Sequence, residues 1–75
     1  MTQLDVCYRY GLPPGERAMA GIDRMREVYG IRRVSFDEAA QTVRVEYDAT
    51  RLTDEIVASL LRNAGIDLKE RIALV

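Results

Sequence analysis

Leu4, Val6, Tyr8 and Tyr10 alternate with Asp5, Cys7 and Arg9, the period of two that belongs to a half-buried β-strand. Gly11-Leu12-Pro13-Pro14-Gly15 ends that strand, because two glycines and two prolines continue neither strand nor helix. Ala18, Ile22, Met25 and Tyr29 then recur at helical spacing, with Arg17, Asp23, Arg24 and Arg26 around the rest of the wheel and Gly30 as a stop. Ile31 to Phe36 reads as a second strand with Val34 and Phe36 on one face. Asp37 to Gln41 turns the chain. Val43, Val45 and Tyr47 alternate with Thr42, Arg44, Glu46 and Asp48, giving a third strand close enough to pair with the second as a hairpin. Thr53 caps a second helix, and Asp54 and Glu55 place negative charge at the positive end of its dipole. Ile56, Val57, Leu60, Leu61 and Ala64 form its apolar stripe, and Gly65 ends it. Leu68, Ile72 and Leu74 make a fourth strand, in which Glu70 shares their parity and spoils the alternation, as at a sheet edge.

The order is strand, helix, strand, strand, helix, strand. Such a βαββαβ chain folds most simply as a ferredoxin-like α+β sandwich, a four-stranded antiparallel sheet with both helices on one face. Residues 1–75 form a single domain, since a chain of this length supports one small core. The parity places Tyr8, Tyr10, Phe36 and Tyr47 toward the helices, as core rings and not as a base-stacking display. Asp5, Cys7, Arg9, Arg33, Arg44, Glu46, Lys69 and Arg71 are left for the open face of the sheet.

Charge narrows the function. Eleven basic against 12 acidic residues give a net charge of −1 with the signs interleaved, which argues against nucleic acid. No apolar run approaches the roughly 20 residues that cross a bilayer, so no membrane insertion is expected. The N-terminal stretch has neither the basic segment nor the long apolar core of a secretion signal, and a free thiol suits a reducing cytoplasm. The sequence has no His and one cysteine, Cys7, which excludes an internal disulfide, Cys/His zinc sites and an imidazole-activated nucleophile. The paired acids Asp37-Glu38 and Asp54-Glu55 lie in a turn and a helix start, where structural roles suffice. No enzyme and no cofactor is expected.

Gly30-Ile31-x-x-Val34, Val43-x-Val45-x-Tyr47-Asp48, Leu52-Thr53-x-x-Ile56 and Ala64-Gly65, in this order and spacing, resemble the heavy-metal-associated domain of copper chaperones and metal-transporting P-type ATPases. The resemblance implies a Gly-Met-x-Cys-x-x-Cys loop after the first strand, whose two thiolates hold a soft ion at the start of the first helix. Alignment on Gly30-Ile31 puts the two cysteines at Pro14 and Arg17, and alignment on Ile22 puts them at Gly15 and Ala18. Neither register contains a thiol. The family's aromatic or Lys after the second helix is here Ile66. The resemblance therefore implies the fold while the residues contradict ion carriage, and no bound metal ion is expected.

Three readings follow. The first is a protein-contact module linked to metal homeostasis, with a partner protein or a second copy as its target. The second is residual metal binding through Cys7 in a dimer, or Cys7 with a methionine such as Met19. The third is anion or small-ligand binding at the first loop, Gly11, Pro13, Pro14, Gly15 and Arg17, where a helix N-terminus and a guanidinium adjoin.

Overall fold

A computed structural model describes residues 3–72. The chain runs β1 (Gln3–Tyr10), α1 (Glu16–Met25), β2 (Ile31–Asp37), β3 (Thr42–Asp48), α2 (Asp54–Ala64) and β4 (Leu68–Ile72). The sheet order is β2-β3-β1-β4, and every neighbouring pair is antiparallel. This is the expected ferredoxin-like sandwich, with β4 at an edge. Leu74, expected in the fourth strand, lies outside the described residues.

Register fixes which side chains enter the core, because residues directly opposite in an antiparallel pair share a face. Val6 faces Val45 and Tyr8 faces Val43 across β1 and β3, and Val34 faces Val45 across β2 and β3. All five are buried, together with Ile22, Met25, Val57 and Leu61 from the helices. Ile22, Val57 and Leu61 are fully enclosed, and each such side chain stabilises the fold by roughly 1.5–3 kcal/mol relative to exposure.

Two bulges alter the simple alternation. One extra residue in β2, at Arg32, lets Ile31 join Val34 and Phe36 on the core side, with Ile31 opposite Tyr47. A second, at Lys69 in β4, shifts the pairing so that Leu68 lies opposite Tyr10 while Glu70 lies opposite Arg9. The faces of β4 therefore differ from the sequence expectation. Glu70 and Ile72 belong to the open face, Glu70 pairing with Arg9 at 2.9 Å. Arg71 belongs to the helix side, where its guanidinium pairs with Asp54 at the start of α2. The bulge accounts for the broken alternation at Glu70.

The helices depart from expectation at one end each. After Met25 the chain tightens into three-residue turns, with Glu27 N–H donating to Arg24 C=O and Val28 N–H to Met25 C=O. Val28 consequently turns inward and Tyr29 outward, where the Arg51 guanidinium lies 4.2 Å from its ring centroid. In α2 the buried residues are Val57, Ala58 and Leu61, while Ile56 in the first turn is exposed. Thr53 Oγ1 accepts from Ile56 N–H at 3.2 Å, the expected cap. Gly65 at φ 104° closes α2, with Ile66 N–H returning to Leu61 C=O.

Candidate functional site

The loop between β1 and α1 is where the third reading puts an anion or small ligand, and the fold divides its residues among three environments. Gly11 is tied to the opposite edge, its N–H donating to Asp67 C=O at 2.9 Å, and a Cβ there would run into the Lys69 and Asp67 side chains. Pro13 and Pro14 line an apolar cleft of about 370 Å³ with Tyr10, Met19, Phe36, Glu38 and Gln41. Gly15 and Arg17 line a different, open groove of about 550 Å³ along the two helices, with Ala18, Gly21, Arg24, Asn63, Ala64 and Gly65. The five loop positions thus do not converge on one site.

The groove exists because the helices meet at small residues. A Cβ on Gly21 would lie 2.6 Å from Ala64 C=O oxygen, and Gly65 lies within 3.6 Å of Ala18 through the same construction. Arg17 and Arg24 stand on one side of α1, and neither guanidinium forms an ion pair among the described residues. Gly15 caps α1 with no side-chain hydrogen bond. The groove is consequently basic along α1, from Arg17 in its first turn to Arg24 in its last.

Cys7 is elsewhere. It sits opposite Arg44 and Ile72 on the helix-free face of the central strand and is 8% exposed. Met19 lies on α1, on the other side of the sheet, so the two sulfur atoms do not share a site. Among the described residues no group of three or more His, Cys, Asp or Glu side chains is placed to hold a metal ion.

The cleft residues Met19, Phe36, Glu38 and Gln41 carried no signal that joined them in the sequence. Only the β1–β3 register, which brings Tyr10 N–H to Gln41 C=O at 2.9 Å, places the hairpin turn beside the proline loop. Met19 offered a partial sign, being an apolar residue one position off the Ala18-Ile22-Met25 stripe.

No family model and no curated protein matches the sequence. Solved structures do match. Oxidised MerP from Ralstonia metallidurans CH34 aligns with a TM-score of 0.71 at 13% identity, over 91% of this chain and 96% of that one. The yeast copper transporter domain CCC2A, solved in apo and Cu(I)-loaded states, aligns with a TM-score of 0.70 at 16% identity, over 92% of this chain and 94% of that one. The fold is that of heavy-metal-associated domains. At these identities the likeness is one of fold.

Within the heavy-metal-associated fold, the two registers proposed for the thiol pair are not equivalent. Gly15 and Ala18 line one groove, one helical turn apart, whereas Pro14 and Arg17 line two different openings. A soft cation needs sulfur donors, and neither position carries one. Arg17 adds a fixed positive charge beside them. The aligned positions in this loop therefore lack the donors that a soft metal ion requires.

Proposed function

We propose that this chain is a metal-transport-related domain that acts by protein contact and not by carrying the ion. What supports this reading is the groove at Gly15, Arg17, Arg24 and Asn63, which runs along α1 from its first turn to its last and is lined by two arginines and no sulfur atom. Its chemistry suits an acidic segment of a partner protein, because two guanidinium groups two turns apart on one side of α1 can each receive a carboxylate in forked geometry. The likeness to MerP and to a copper transporter domain supports the link to metal transport. A cytoplasmic setting belongs to the same proposal, as Cys7 is a free thiol. The reading assigns no reaction.

The test is a titration of the ¹⁵N-labelled protein with a hexaglutamate peptide, beside Arg17→Glu/Arg24→Glu. Amide shifts clustered at Gly15 to Arg24 and at Asn63 to Gly65, absent in the variant, carry the proposal. Unchanged spectra, or stoichiometric Cu(I) binding against a competing chelator, refute it. A concentration-dependent mass by light scattering that the double variant abolishes would make a second copy the partner.

A further inference from the structure

The cleft on the other flank of the loop has the opposite character to the basic groove. Its walls are Pro13, Pro14 and Met19, and beneath them Tyr10 and Phe36 meet edge to face with ring centroids 5.9 Å apart and planes at 67°. Its polar lining is Glu38 and Gln41, and no cationic side chain lines it. Glu38 forms no ion pair among the described residues, and the neighbouring Asp37 is engaged in accepting from Ala40 N–H at 3.2 Å.

We propose that this cleft binds a small organic cation, an ammonium or guanidinium group carried on an apolar body. Aromatic rings and a thioether receive the body, and the Glu38 carboxylate receives the charge. The volume lies within the range of small-molecule pockets, which are mostly apolar with a few placed polar groups. Both walls are fixed before any ligand arrives. The prolines lock their own backbone angles, and Gln41, at φ 55°, is held by the Tyr10 N–H to Gln41 C=O bond. The negative potential reaches the floor of the cleft, since burial first and then the Glu38 and Asp37 carboxylates push the Tyr10 phenol above its usual pKa. An anion is disfavoured by the same carboxylates.

Three probes of one shape test this: phenethylammonium, 2-phenylethanol and 3-phenylpropionate, each titrated into the ¹⁵N-labelled protein. Phenethylammonium is expected to shift the amides of Met19 and of residues 36–41, binding about twofold to fivefold more tightly than the alcohol, the yield of one solvent-exposed ion pair. The carboxylate is expected to bind weakest. Glu38→Gln, an exposed position, should bring the ammonium and the alcohol to equal affinity, and Met19→Trp should fill the cleft and remove binding of both. The proposal fails if phenethylammonium shifts nothing at these residues, or if its advantage over the alcohol is absent or survives Glu38→Gln.

Discussion

Gly21 of α1 and Ala64 of α2 touch backbone to backbone: a Cβ added to Gly21 would stand 2.6 Å from the Ala64 carbonyl oxygen and 2.8 Å from its Cα. A main-chain obstacle cannot rotate aside as a side chain can. Alanine in a helix interior gains about 1 kcal/mol over glycine in propensity, while overpacking against a fixed neighbour costs about 1–3 kcal/mol. Gly21→Ala should therefore lose stability by about 1 kcal/mol, and Gly21→Leu more, because the helices must separate. Urea unfolding measures this, and an unchanged or higher midpoint for Gly21→Ala would contradict the contact.

Asp48 ends β3 as a buried carboxylate that accepts from Thr50 N–H at 3.0 Å and Thr50 Oγ at 2.6 Å. The Thr50 hydroxyl foremost, then its amide, holds the Asp48 carboxyl below its ordinary value. A depressed native pKa means that the stability contributed is complete above the unfolded value near pH 4 and is lost as pH falls through the native one. Asp48→Asn should be less stable than the parent at pH 7, with the gap closing below about pH 4. Denaturation midpoints from pH 7 to 2 test this, and a gap independent of pH counts against it.

Tyr8 presents the alkaline counterpart. Its hydroxyl donates to Asp54 C=O at 3.1 Å, and burial, followed by the Asp54 charge, raises the phenol pKa. A raised native pKa gives stability that is full below the unfolded value near 10 and lost as pH rises through the native one. Tyr8→Phe should cost about 1 kcal/mol at neutral pH and should flatten the alkaline limb of the stability profile. If parent and variant decline together above pH 10, the phenol is not the titrating group.

How far the sequence reveals this molecule depends on the range of the interaction concerned. Local chemistry was legible: Thr53 and Gly65 bracket α2, and the Val43-Val45-Tyr47 alternation marks β3. Errors arose where one residue breaks a period. The bulge at Lys69 moves Arg71 and Ile72 to opposite faces from those that parity assigns, and the tight turns after Met25 exchange Tyr29 for Val28. The loop stood out at once through its glycines and prolines. Its division was illegible, because whether Pro14 or Arg17 meets the cleft or the groove depends on Phe36 and Asn63, which are distant in the chain.

Cys7 should react as a core thiol. Enclosed between Arg44 and Ile72 in the central strand, it should be alkylated by iodoacetamide orders of magnitude more slowly in the native protein than in urea, at a rate that follows opening of the structure. Native labelling as fast as that of the unfolded chain would place the thiol at the surface.

If missing donors are what separate this chain from an ion carrier, restoring them should restore binding, and the fold says where. Gly15 has open space around an added Cβ, Ala18 lies one helical turn on, and both border the same groove at the positive end of α1, where a thiolate is stabilised. Gly15→Cys/Ala18→Cys should therefore bind one Cu(I) per chain in competition with a chelator, and a third change, Arg17→Ser, should tighten it by removing a like charge. Pro14→Cys/Arg17→Cys, whose side chains line separate openings, should bind more weakly. The order of the two double variants is decisive. Tighter binding by the Pro14 and Arg17 pair would reverse the assigned register, and no binding by any variant would mean that the groove, and not only its donor set, differs from that of an ion carrier.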